Sequence, residues 1–319
     1  MTPPARPDPK TDPLLASLPE HEGFKVLDGR YVIFDILGQG GMGVVYRGKH
    51  LGLGLQVAIK CLDPVLARRD PQFVMRFEQE ARAAARVDDP NVVRVHDVAS
   101  SAGLYYMSMQ YVQGENARQR VQRKGRLAIA EALTIGIGAV RGMTAAHHAG
   151  LIHRDIKPDN ILISTTGEVK LADLGLAKVE GDSGMTYSGA TMGTPRYMPP
   201  EQYDDAKRVA PNADVYGMGA TLYFLLVGED GIDGKTLPEV LKQVGSLPFP
   251  RVRAKRPEVD EALDELIARC VEKDPGLRPA DGAELLAALE PFAVPGQGDL
   301  SDEQAQPTLL GVSMVSPPP

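Results

Sequence analysis

Two cysteines, Cys61 and Cys270, are all that the 319 residues contain, and they lie far apart in no Cys-x-x-Cys pair. That excludes a disulfide framework and a thiolate zinc site, and it points to a reducing compartment. Histidine is scarce too. The six histidines show no HxxxH or HExxH spacing, so a metal site built on imidazole is excluded. No apolar run approaches the roughly 18 residues that a membrane span needs. The longest, "VYGMGATLYFLLVG" at 215–228, is apolar all round and ends at Gly228, which predicts a buried helix with a glycine cap. The N-terminal "MTPPARPDPKTDP" lacks the apolar centre of a signal peptide. Together these absences predict a cytoplasmic protein. A surplus of positive charge is also missing: the net charge of −7 argues against wholesale nucleic-acid binding.

What is present is ordinary in bulk, with 43% hydrophobic and 24% charged residues, and long enough for one large domain or two. Residues 1–25 and 293–319 are rich in Pro, Asp and Gln and read as disordered tails. Between 31 and 112 come runs rich in Val, Ile and Tyr: "YVIFDIL", "VVYRGKH", "QVAIKCL", "VVRVHDV" and "LYYMSMQYV". These predict strands. One helix interrupts them, started by Asp70 and Pro71, with Phe73, Phe77, Glu80 and Ala84 on one face. From about 113 helical periodicity takes over, clearest in "LAIAEALTIGIGAVRGMTAAHHAG", where Gly136, Gly138 and Gly142 imply close packing against a neighbour. The expected fold class is α+β, a small mostly-β lobe over 31–112 followed by a larger mostly-α lobe over 113–291.

Chemistry is concentrated in four places. Gly38-x-Gly40-x-x-Gly43 is followed by the strand-like "VVYRG" rather than by a helix, so it reads as a hairpin whose glycine tip covers phosphates. "VAIK" places Lys60 in an apolar strand, where an ammonium needs a partner; Glu80 on the helix needs one equally. "LIHRDIKPDNILI" sets Asp155, Lys157 and Asn160 on one short turn between apolar ends. "LADLG" sets Asp173 after another short strand. Phosphoryl transfer needs oxygen ligands for a divalent metal, which Asn160 and Asp173 supply, and a carboxylate to take a hydroxyl proton, which suits Asp155. Lys157 is placed to stabilise the transferring phosphate.

With these motifs in one order, and with "PPEQ" after them, the sequence resembles the eukaryotic-like (Hanks-type) serine/threonine protein kinases, in particular their bacterial members, over about 31–291. The resemblance implies the two-lobed protein kinase fold, with ATP and Mg2+ (or Mn2+) as cofactors. It places the nucleotide along Leu37, Gly38, Gln39, Gly40, Gly41, Met42, Gly43, Val44 and Val45, against Ala58 and Lys60, with Met109 at the gatekeeper position and Gln110 to Val112 as the hinge. It implies a Lys60–Glu80 pair, a buried Glu201–Arg278 pair, and Asp214 bracing the catalytic loop. Lys157 and the Gly193-Thr194 pair resemble the serine/threonine pattern, with Thr194 in a structural role near Asp155. Arg154 would receive a phosphate carried by the segment 175–200, with Thr186 and Ser188 as the first acceptors and Thr191 next. The implied partners are proteins bearing Ser or Thr and a second copy of the chain during autophosphorylation, with no nucleic acid and no membrane span. The chain departs from the family in Asp173-Leu174-Gly175, where Phe usually stands in the middle, and in Gln110 at the hinge.

A pseudokinase or scaffold that binds nucleotide without turnover is the alternative, and filled catalytic positions argue against it. A small-molecule phosphotransferase would not need "GTPRYMPPEQ". The basic stretches "ARQRVQRKGR" (117–126) and "RVRAKR" (251–256) read as solvated helix faces. Cys61 reads as a small buried apolar side chain.

Overall fold

The computed structural model describes residues 12–40, 43–69, 71–174, 194–204, 209–293 and 300–302, with the side chains of Pro71, Glu80, Thr194 and Asp204 outside that description. Gly41, Met42, Asp70, Thr186, Ser188 and Thr191 lie outside the described residues.

The first lobe is an antiparallel sheet. Its strands are β1 (Glu20–His21), β2 (Phe24–Leu27), β3 (Tyr31–Gly40), β4 (Gly43–His50), β5 (Gln56–Leu62), β6 (Val95–Ser101) and β7 (Leu104–Gln110), in the order β1-β2-β3-β4-β5-β7-β6. Helices α1 (Pro64–Arg69) and α2 (Pro71–Ala84) connect β5 to β6. Period-two alternation sorts the side chains of β4 and β5 onto two faces. Val44, Tyr46, Val57, Ile59 and Cys61 pack outward with Leu27, Ile33 and Tyr106. Val45, Ala58 and Leu62 pack on the other face with Phe77 and Ala81 of α2.

The outward face is covered by a stretch that composition assigned to a tail. Leu15 and Leu18 are buried in that cluster, and Asp12 accepts from Leu14 N (2.9 Å) and from Tyr46 Oη (2.6 Å). The chain from Asp12 is therefore part of the lobe. Proline and aspartate set the composition of the stretch, but two leucines decide its fate. At the other end, Leu300 is likewise buried in the second lobe.

That second lobe holds a small sheet, β8 (Gly114–Asn116), β9 (Ile161–Ser164) and β10 (Val169–Leu171), in the order β10-β9-β8. Its helices are α3 (Ala117–Lys124), α4 (Ile129–His148), α5 (Pro200–Asp204), α6 (Asn212–Val227), α7 (Leu237–Ser246), α8 (Val252–Lys255), α9 (Glu261–Cys270) and α10 (Gly282–Leu289). The all-round apolar helix is α6, buried from Ala213 to Leu226 and capped by Gly228 at φ +88°. By length and composition α4 alone among the described helices would suit a membrane, yet it packs inside the lobe. Its glycines explain how. A Cβ at Gly136 would meet Leu222 of α6 at 2.5 Å, and one at Gly138 would meet Val169 of β10 at 2.7 Å.

The basic stretches are not simply solvated. Arg120 is buried and paired with Glu131 (2.6 Å) and Glu115 (3.3 Å), and Arg256 is buried, donating to Leu127 O and Leu226 O at 2.7 Å each. Guanidinium groups serve as buried polar anchors here because each finds enough acceptors.

Candidate active site

The two lobes meet over one apolar cluster. Leu37, Val45 and Ala58 come from the sheet, Met109 and Val112 from the connection, and Leu162 and Ala172 from the second lobe. Register fixes the upper wall: Val45 pairs with Lys60 across β4–β5, and Ala58 pairs with Met109 across β5–β7. Gly43 at φ +147° lies so close to β5 that a Cβ there would meet Cys61 O at 1.9 Å, so glycine alone fits the turn. Gln39 and Gly40 are exposed at the hairpin end. The Val44 side chain belongs to the outward face, opposite that of Val45. Leu162 and Ala172 were absent from the expected set. The alternation of "ILI" after Asn160 could have suggested Leu162, whereas Ala172 carries no signal beyond standing before Asp173.

Lys60 Nζ donates to Asp173 Oδ1 at 2.8 Å. Burial works against ionisation of Asp173, but the Lys60 and Lys157 ammonium groups outweigh it and hold the carboxyl below its ordinary range. The described position of Glu80 is in α2; its side chain lies outside the description, so the Lys60–Glu80 pair stays an expectation.

The turn before β9 gathers the other groups. Lys157 Nζ donates to Asp155 Oδ2 at 2.8 Å, and Asn160 Nδ2 donates to Asp155 O (2.8 Å) and Oδ2 (3.1 Å). Burial opposes the charge on Lys157, yet Asp155 beside it, with Asp159 and Asp173 nearby, raises its pKa. The amide of Asn160 is thereby fixed with Oδ1 as its available oxygen. Ala172 N donates to Asn160 O at 2.9 Å, which ties the loop of Asp173 to the same turn.

Two of these positions are strained. Arg154 and Asp173 adopt left-handed backbone at φ 63° and 57°, a conformation that costs a non-glycine residue about 1–3 kcal/mol and persists only where the surroundings impose it. Here they do. Buried Asp214 of α6 accepts the N–H groups of His153 and Arg154 at 2.7 Å each, and Gln202 Nε2 donates to Arg154 O at 3.0 Å. Gly282 N donates to His147 Nδ1, so His147 Nε2 carries the proton that it shares with Asp214 at 2.9 Å. His153, assigned no role from sequence, joins the two loops: Nε2 donates to Ala172 O at 2.9 Å, and Nδ1 accepts from Asp155 N at 3.3 Å.

Farther out, Arg278 holds Glu201 through two bonds, 2.6 and 2.9 Å, and its Nε donates to Glu272 O at 2.7 Å. Leu174, where the family has Phe, is buried in the core of the second lobe. Arg118 joins Asp159 beside the turn (2.8 Å) to Tyr197 Oη (3.0 Å).

Among the described residues no group of three or more His, Cys, Asp or Glu could hold a metal ion alone. Asp173 and Asn160 Oδ1 are hard oxygen donors of the kind Mg2+ takes when phosphates and water complete its shell. The residues fit such an ion bound together with a nucleotide.

The sequence that carries these groups has relatives among known proteins. The family described as protein kinase domain matches residues 31–288. Serine/threonine-protein kinase PknL of Mycobacterium tuberculosis is 36% identical over 274 residues, 85% of this chain and 68% of the relative. PknB of Mycobacterium leprae is 37% identical over 269 residues, 82% of this chain and 43% of PknB. PrkC of Bacillus subtilis is 33% identical over 251 residues, 79% of this chain and 38% of PrkC. The chain thus spans about two thirds of the first of these relatives and less than half of the other two.

Proposed function

The chain belongs to the protein kinase family, with bacterial serine/threonine-protein kinases among its relatives, and from that membership we propose that it transfers the γ-phosphoryl group of ATP to Ser and Thr hydroxyls of proteins. The observation that carries this reading is the junction of three separate sequence segments: Lys60 on Asp173, Lys157 and Asn160 on Asp155, and Ala172 N on Asn160 O. A scaffold would have no need to hold these groups together on strained backbone.

In this reading the adenine lies between Val45, Ala58 and Leu162. The backbone of Gln110 and Val112 offers it hydrogen bonds, and Met109 closes the back of the pocket. The N–H groups of the Gly38–Gly43 hairpin cover the phosphates. Lys60 positions them without being neutralised, and Glu80 orients Lys60. A divalent ion, Mg2+ in the first instance, would be held by Asn160 and Asp173 and would supply charge neutralisation at the phosphates. The incoming hydroxyl oxygen forms a bond to phosphorus as the bond to the ADP oxygen breaks, and the hydroxyl proton passes to Asp155. Lys157 offsets negative charge on the transferred group.

Activation follows the same electrostatics. A phosphate on Thr186, Ser188 or Thr191 brings a charge near −2 at neutral pH, which Arg154 can grip through paired bonds. The segment is modified by a second copy of the chain, and the reaction runs in the cytoplasm, a reading supported by the two buried free thiols. Incubation with γ-labelled ATP, with and without a generic protein substrate, tests the activity: label on protein Ser or Thr is expected, and no label on either protein would instead favour a scaffold. Phosphopeptide mapping, with a Thr186→Ala, Ser188→Ala, Thr191→Ala variant, tests the switch separately; full activity in that variant would remove it.

A further inference from the structure

Helix α3 presents its cations in two directions. Arg118 turns to Asp159 at the catalytic turn, while Arg120 and Arg123 turn to the opposite side, where Leu300–Asp302 lies. Four contacts hold that short segment. The Leu300 side chain is 2% exposed and part of the main core of the second lobe. Arg120 Nη2 donates to Leu300 O at 3.2 Å. Asp302 N donates to Thr165 O, in the turn between β9 and β10, at 3.0 Å. Asp302 Oδ2 accepts from Arg123 Nη2 at 2.6 Å.

The receiving surface is preformed. Arg120 is fixed by Glu131 and Glu115 and is itself buried, so its Nη2 is an aimed donor that would lose an acceptor if the segment left. Gly167, at φ +87°, is the other half of the fit: a Cβ there would lie 3.1 Å from Ser301 N and 3.3 Å from the carbonyl carbon of Leu300. Glycine keeps the channel open for main chain.

We propose that the face made by α3, β8 and the β9–β10 turn is a docking groove for a short peptide that carries leucine and, two residues later, a carboxylate, and that its occupant is the chain's own Leu300–Asp302. Backbone bonds to Arg120 and Thr165 recognise the peptide as main chain, the core recognises leucine, and Arg123 recognises the acid. The groove lies outside the nucleotide cleft and needs none of its residues.

The test uses the full chain carrying Leu300→Ala and Asp302→Lys, with a fluorescein-labelled peptide GDLSDEQ, the sequence of residues 298–304. Fluorescence anisotropy should show saturable binding to this variant. Binding to the unaltered chain should be at least about tenfold weaker, because a tethered occupant competes at an effective concentration in the millimolar range. A peptide with alanine in place of its leucine should not bind. Equal binding to both chains, or no saturable binding to the variant, overturns the groove. Hydrogen exchange on the unaltered chain gives an answer that does not depend on the variant folding: the Asp302 amide should exchange at least about tenfold more slowly than in the free peptide, as a hydrogen-bonded amide does. Exchange at the free-peptide rate would overturn the docking directly.

Discussion

Asp155 receives Lys157 and Asn160 on the same carboxylate oxygen, Oδ2, so Oδ1 faces no donor among the described residues and is the atom an incoming hydroxyl would meet. Asp155→Asn replaces the proposed proton acceptor by an amide of the same shape. Turnover should fall about 10²–10⁴-fold while nucleotide binding is kept; a labelled-ATP assay beside an equilibrium binding measurement checks both. Lys60→Met should abolish most transfer and also change the acid response. With Lys60 present, the Asp173 carboxyl is depressed from its ordinary 3.8, so its ionised form stabilises the fold above that value and the gain is lost as pH falls through the lowered pKa. The difference in melting temperature between the two chains should therefore narrow as pH is lowered below about 4. At this scale the sequence marked Lys60, Asp155, Lys157, Asn160 and Asp173 as polar groups between apolar residues, but not that Lys60 would find Asp173, because that partner is 113 residues away. Val44 turns its side chain to the outward face because adjacent strand residues face opposite ways. His153 was missed because an imidazole that links two loops looks, in sequence, like any buried histidine.

Among the elements, α4 shows packing overriding local preference. Alanine at position 142 would favour the isolated helix by about 1 kcal/mol. In the fold its Cβ would lie 2.3 Å from Asn91 O, and Asn91 cannot yield easily, since its carbonyl accepts from Leu171 N (2.7 Å) and its Nδ2 donates to Val169 O (2.8 Å). Gly142→Ala should thus destabilise the protein, by about 1–3 kcal/mol as an overpacked site does, read as a lower midpoint in urea. Elements with strong signals were legible: β3, β4, β5 and β7, α2, α4, and α6 with its glycine cap stand where apolar runs or helical spacing put them, whereas β6 begins three residues later than "VVRVHDV" suggested. Short pieces were not. β1, β2 and α1 have too few residues to establish a period, and the docking of Asp12–Leu18 is decided by a sheet far along the chain.

For the whole molecule, the long-range ion pair matters most to stability. Glu201 and Arg278 are 77 residues apart, and the guanidinium is fully enclosed, also giving bonds to Glu272 O and Lys273 O. Arg278→Ala leaves Glu201 without its cation and should cost about 3–5 kcal/mol, seen as a lower melting temperature with little change in KM for ATP. The cover over the sheet has a consequence of another kind, for how the polypeptide behaves in concentrated solution. Every catalytic motif lies after residue 31, where the family match begins. A chain begun there would nevertheless lack Leu15, Leu18 and Leu27, and would present Ile33, Val57 and Ile59 as a wet apolar surface. Such surfaces adhere to one another. Light scattering should find a chain begun at Asp12 monodisperse and one begun at Tyr31 self-associating, although both carry the same chemistry.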